Sequence, residues 1–217
     1  MPDFSIFTGY WDVYMKGFGN TILSSIIALA GSFVLGTIIA VFRISSVKPL
    51  RWLGTIYVEF IRNIPLMLVV FVFFYGLPSI GVTLSGFVCG TTGLAVYTAS
   101  FIAEAIRAGI MSVPKGQMEA AQSSGLTYVQ AMRYVILPQA IKIVIPPLSN
   151  QFINLVKNSS VLGVFAGMDL MYFADQVASD TYATFDTYIF VAALYLVLTL
   201  PLSYGALRLE RRLARTN

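Results

Sequence analysis

The residues able to do chemistry fall in three short runs, each embedded in an apolar neighbourhood. Tyr97, Ser100, Glu104 and Arg107 recur at helical spacing on one face. Asn150, Asn154 and Lys157 do the same further on, with Gln151 and Ser160 beside them. Glu59 and Arg62 stand three apart, and Pro65 just beyond them frees a backbone carbonyl one turn back. Ionisable groups at membrane depth cost roughly 2.5–3.5 kcal/mol each on insertion scales, so they face a bundle interior or a cavity. Three polar stripes therefore point to a hydrophilic path or pocket. A plainer reading is also open: Glu104 and Arg107 pair with each other, and Arg62 snorkels to an interface. Lys157 resists that reading, because it lies 19 residues past Pro138, roughly 28 Å up a helix. The chain has no histidine and one cysteine, Cys89, which excludes a histidine-based metal site or triad and any internal disulfide.

The elements that must carry these stripes follow from composition. Of 217 residues 57% are hydrophobic and 11% charged, with a mean hydropathy of +0.78. A soluble domain carries about 25% charge, so the expectation is an integral membrane protein, all α. With about 20 apolar residues needed per crossing, five spans are expected, at about 21–42, 55–77, 87–110, 138–164 and 187–207, the fourth interrupted by Pro146 and Pro147. Asp3 and Asp12 precede the first of them where a signal peptide would be basic, so that span is expected to be retained. Five helices offer little room for an enclosed watery path, and a dimer with polar faces turned to a shared axis is the simpler arrangement.

Charge placement predicts the orientation. Arg43, Lys48 and Arg51 follow the first span, Lys115 and Arg133 follow the third, and Arg208, Arg211, Arg212 and Arg215 form the tail. The connection after span two is uncharged, and the one after span four carries Asp169, Asp175, Asp180 and Asp186. Lysine and arginine mark the cytoplasmic side, which puts the N-terminus outside and the C-terminus inside. In the outer connection Leu170, Met171, Phe173, Ala174 and Val177 predict a short amphipathic helix along the outer surface, serving as a connector or a gate.

One cytoplasmic stretch is too polar to span a membrane and too regular for a slack loop. In KGQMEAAQSSGLTYVQAMRYVILPQA, Met118, Ala121, Gln122, Gly125, Leu126, Val129, Met132 and Ile136 fall three and four apart. Pro114 and Pro138 bracket any helix there, and Pro138 is expected to start the next span. Within it Glu119, Ala120, Ala121, Gly125, Leu137 and Pro138 resemble the EAA loop of the permease subunits of ATP-binding-cassette importers, with Val135 where that pattern has isoleucine. YVEFIRNIPL from Tyr57, AEAIRAGIMSVPKGQMEAA from Ala103 and NLVKNSSVL from Asn154 are similar to the branch that imports polar amino acids.

The resemblance covers almost the whole chain and implies a single permease domain, 1–217, of the type I importer kind. It implies no catalytic site and no cofactor on this chain: no G-x-x-x-x-G-K-[ST] is present, and ATP and magnesium belong to two partner ATPase subunits. It also implies a second permease subunit (identical or similar), an extracytoplasmic amino-acid-binding protein, the lipid bilayer of a bacterial plasma membrane as setting, and no nucleic acid. A coupling helix at about 117–127 would dock in an ATPase cleft by its apolar face, with Glu119 fixing register, Ala120 and Ala121 allowing close approach, and Gly125 turning the chain. An amino acid brings a carboxylate and an ammonium, so Arg62, Arg107 or Lys157 would take the former, Glu104 the ammonium or a neighbouring arginine, and Asn154 either. The excess of basic groups leans toward glutamate or glutamine. The rival expectation is a secondary transporter or channel driven by an ion gradient, though the inverted repeats common in such folds are not evident.

Overall fold

A computed structural model describes residues 4–214, and Asp3 and Arg215 lie outside them. The described elements are all helical: α1 (Phe4–Gly9), α2 (Trp11–Ile44), α3 (Lys48–Arg62), α4 (Leu66–Phe71), α5 (Gly86–Met111), α6 (Lys115–Ser123), α7 (Tyr128–Ala131), α8 (Leu137–Asn158), α9 (Leu170–Thr181) and α10 (Thr184–Ala214). Three of them, α2, α5 and α10, are long and apolar enough to cross a membrane alone, and two bent pairs bring the number of possible crossings to five.

The centre of the fold is the parallel pair α2 and α5. A stripe of small residues on α2, Ser24, Ser25, Ala28, Ser32, Gly36 and Ala40, is buried. In lipid the hydrophobic effect does not drive helices together, so close packing between small side chains carries the association. Gly36 shows the tolerance: a Cβ there would sit 2.8 Å from the Ala99 carbonyl oxygen and 2.8 Å from Ile102. Across the other face α8 runs antiparallel to α5, with Val144 against Gly109 and Leu162 against Gly90. At the far end Tyr14, Leu170, Ala174, Val177, Val191 and Leu194 form a core shared by α2, α9 and α10.

Three expectations about continuity are corrected. The second span is not one rod, because α3 and the Leu66–Ile80 stretch meet at 109°. Pro65 has no N–H to extend α3 and holds Ile64 out of the helical region, so the chain turns there. Pro146 and Pro147, by contrast, leave α8 unbroken. Pro138 does not start a span either. The helix begins at Thr127, whose side chain and that of Gln130 form a reciprocal capping box, and it runs on through Pro138. Directly before that proline, Met132–Ile136 widens into a π-helical turn, which gives the proline ring room it would lack in a tight α-turn. The same device precedes Pro78, where Val72–Gly76 is π-helical. The short amphipathic helix expected over Leu170–Val177 forms as α9: its apolar face, including Phe173, is buried, and Asp169 caps its start by accepting from Met171 and Tyr172 N–H at 3.3 and 3.1 Å.

The arginines collect at one end of the bundle. Phe190 at the start of α10 stacks on Phe7, and Val197–Pro201 lie beside Ser25–Leu29, so α10 runs in the same direction as α2. Arg208, Arg211 and Arg212 are thereby carried toward the end that holds Arg43, Arg51 and Lys115. Asp169 and Asp175 sit at the opposite end, with α9.

Candidate functional site

At the basic end of the bundle, Glu104 of α5 stands between two arginines. Arg107, one turn on, donates to both its oxygens at 2.7 and 3.2 Å, and Arg43 of α2 donates from the other side. Arg43 is also 3.9 Å from Glu59 of α3. Its side chain is 8% exposed against 24% for Glu104 and 32% for Arg107, so Arg43 is the more deeply buried of the two cations that the carboxylate holds. The two arginines leave Glu104 occupied, as in the plainer reading in which it pairs with Arg107.

Arg43 is the member of this charged cluster that the spacing of the three stripes does not reveal. In sequence it reads as a positive charge in a connection. A usable signal exists, however: Ser32, Gly36, Ala40 and Arg43 are spaced 4, 4 and 3, so Arg43 continues the buried face of α2.

The other proposed polar residues separate. Arg62, at the end of α3, is exposed and stacks over the Phe101 ring at 5.2 Å rather than joining the Glu104 cluster. Tyr97 packs on the same Phe101. The α5–α8 register, fixed by Gly109 with Val144 and Gly90 with Leu162, sets Tyr97 and Phe101 at the level of Gln151 to Leu155. Asn154 therefore shares a level with Tyr97. Lys157 is exposed and borders a cavity of about 300 Å³ with Ser160, Tyr188 and Tyr195, against α9 and α10. The structure thus joins Glu104 with Arg107, leaves Arg62 over Phe101 one turn before Glu104, and puts Lys157 on the side nearer α10.

The polar stretch of the loop folds into a compact device. It is not one helix over 117–127: α6 ends at Ser123 and a tight turn follows. Gly125 N–H donates to the Gln122 carbonyl at 2.9 Å and Leu126 N–H to that of Ala121 at 3.2 Å, the paired bonds of a Schellman cap. Gly125 takes φ +89°, as its place in such a cap requires. The apolar face of α6 is used within the chain. Met118 packs with Met132 and Val135 on the core of Val113, Ile136 and Ala140, and Ala121 is buried. Gln139 fastens the device to α8, donating to the Gln117 side chain at 3.2 Å and the Val135 carbonyl at 2.8 Å. What faces outward is polar and small: Glu119, Ala120, Gln122 and Ser123 are exposed. Docking by the apolar face is thus corrected, since that face is already covered; the outward face carries Glu119.

Residues 32–215 match the family described as binding-protein-dependent transport system inner membrane component. The chain is 66% identical to the probable glutamine ABC transporter permease protein GlnM of Bacillus subtilis, over 98% of each chain. It is 35% identical to the glutamate transport system permease protein GluC of Corynebacterium glutamicum, over 92% of this chain and 93% of that one. A crystal structure of an amino acid ABC transporter superposes with a TM-score of 0.92 at 38% identity, covering 98% of this chain and 99% of the other. The inward-facing methionine transporter MetNI, at 20% identity and a TM-score of 0.69, shares the fold. The chain belongs to the family of binding-protein-dependent transport system inner membrane components, and it is an amino-acid ABC importer permease.

Proposed function

We propose that this chain imports a polar amino acid of the glutamine or glutamate class, working as a permease dimer in a bacterial plasma membrane. The observation that carries the coupling half is the α6 device: a short helix locked onto α8 by its buried face, with Glu119 and Ala120 left outward as a rigid handle. Two ATPase subunits, which hold ATP and magnesium, grip this handle in the paired permeases. Their closure moves α8 and so the bundle, and an extracytoplasmic binding protein supplies the amino acid at the other end. This requires the basic end to be cytoplasmic, in keeping with its concentration of arginine.

Arg62, Glu104, Arg107, Asn154 and Lys157 are the route's polar residues in this reading. Glu59 has a side chain 62% exposed and Arg62 is exposed as well. Left to lipid, both would be costly, so a second permease facing them supplies the missing wall. Arg62 keeps its guanidinium fork free for a carboxylate. Glu104 acts by positioning Arg107, Asn154 offers an amide to either end of the substrate, and Lys157 stands toward the far entrance. The glutamine or glutamate class rests on the names of the relatives at 66% and 35% identity.

Competition of labelled glutamine uptake in liposomes, with the ATPase and binding protein present, tests the proposal. Uptake should need ATP and be displaced by unlabelled glutamine or glutamate. Uptake by the chain alone under an ion gradient would overturn it.

A further inference from the structure

Between the ends of α2 and α5, the start of α3 and the α6 device lies a cavity of about 380 Å³ whose walls hold Arg43, Arg51, Arg107 and Lys115. Behind the walls, Glu104 pairs with Arg43 and Arg107, and Glu59 approaches Arg43 at 3.9 Å; neither carboxylate lines the cavity. Arg51 and Lys115 have no carboxylate partner among the described residues. The walls therefore keep a surplus of two positive charges around a space that the protein leaves unfilled. A buried member, Arg43, anchors the site, with its side chain 8% exposed and its Nε without a partner.

A second cavity, of about 610 Å³, shares Arg51 and continues along Lys48, Pro49, Trp52 and Leu53. Trp52 is 73% exposed and Leu53 61%. Charged walls leading into a groove with an indole and a leucine match a molecule that is anionic at one end and apolar at the other. Tryptophan is favoured at headgroup level, and basic pockets between spans at the cytoplasmic side bind acidic headgroups.

We propose that this cavity holds the phosphate headgroup of an anionic phospholipid, with Arg51 and Lys115 as its main cationic contacts and the Trp52–Leu53 groove taking the start of an acyl chain. Since Lys115 and Met118 of α6 line the same space as Arg43 of α2, a bound headgroup ties the α6 device to the bundle. This sets a lipid requirement on coupling and rests on the proposed cytoplasmic placement of the basic end.

The test uses the full-length chain in detergent, titrated with phosphatidylglycerol or phosphatidylcholine and followed by native mass spectrometry, with inorganic phosphate as a competitor. Phosphatidylglycerol should be retained at about one per chain and phosphatidylcholine should not. The R51Q/K115Q pair should weaken retention by roughly tenfold or more. R133Q, which removes a cation that stacks on Tyr134 outside the cavity, should leave it unchanged. Equal retention of both lipids, equal loss in R133Q, or an intact R51Q/K115Q would overturn the proposal. Full displacement by millimolar phosphate would overturn the lipid in favour of a soluble anion. Orientation is read separately, by labelling a cysteine placed at Gly116 in intact cells. Specific retention together with outside labelling would keep the site and refute the cytoplasmic placement.

Discussion

Replacing Glu104 by glutamine removes the charge that Arg43 and Arg107 share. Two opposite charges about 4 Å apart attract by about 4 kcal/mol at an effective dielectric constant near 20. Part of that is regained because the Arg43 guanidinium still has Glu59 at 3.9 Å and because Arg107 is 32% exposed to screening. Breaking a buried ion pair on one side costs about 3–5 kcal/mol, chiefly by stranding the other charge. With Glu104 itself 24% exposed, the expected loss is about 2–4 kcal/mol. The triple variant R43M/E104L/R107M strands no charge at the centre of the cluster, and such apolar replacement of an arginine–carboxylate–arginine group is often neutral or stabilising. It should return to within about 1 kcal/mol of the wild type. Reversible unfolding in mixed micelles measures both variants, and uptake in liposomes is read alongside. E104Q should lose stability and transport together, while the triple variant regains stability and stays inactive if the charges serve the route. An E104Q chain as stable as the wild type would refute the claim that this carboxylate holds Arg43 in the bundle. A triple variant as weak as E104Q would refute the charge-stranding account of the loss.

Three further outcomes follow from the packing. Glu119→Lys should leave the melting temperature unchanged, since Glu119 is exposed, yet abolish substrate-stimulated ATP hydrolysis in the assembled transporter; normal coupling would remove α6 from its proposed role. Gly125→Ala forces a side chain to φ +89° at a cost of about 1–2 kcal/mol. The faster amide exchange should be confined to α6 and the turn after it, and uniform exchange across α8 would contradict that localisation. Gly36→Val places a Cβ 2.8 Å from the Ala99 carbonyl and should destabilise by about 1–3 kcal/mol or more, seen as a lower midpoint of thermal aggregation; an unchanged midpoint would mean α2 and α5 are not seated this closely.

Much of this was open to reading along the chain. Hydropathy marked the membrane segments because crossing helices must be apolar for about 20 residues, and the sign pattern of the connections foretold that their arginines would collect at the end opposite Asp169 and Asp175. The pairing of Glu104 with Arg107, three apart on one turn, was one of the two readings their spacing left open, and it forms. The turn at Gly125 was foreseen for a local reason too, since a positive φ is cheap only for glycine.

Other features depend on what lies beside a residue in space. Pro65 turns the chain by 109° while Pro146 and Pro147 leave α8 unbroken; these prolines look alike in sequence, and the packing of neighbouring helices decides which carbonyls can be satisfied. Arg43 reads as a loop charge until α5 is placed 61 residues further on and brings Glu104 against it. The apolar side of α6 reads as a surface for a partner until Gly125 turns the chain and lays Met118 on Met132 and Val135. Sequence by itself determined the membrane class, the helical content and the charge polarity, because these depend on each residue's own transfer energy and on neighbours within a turn. Only the tertiary structure decided which face of α6 is free and which arginine Glu104 holds, because both depend on residues far apart in the chain meeting in space.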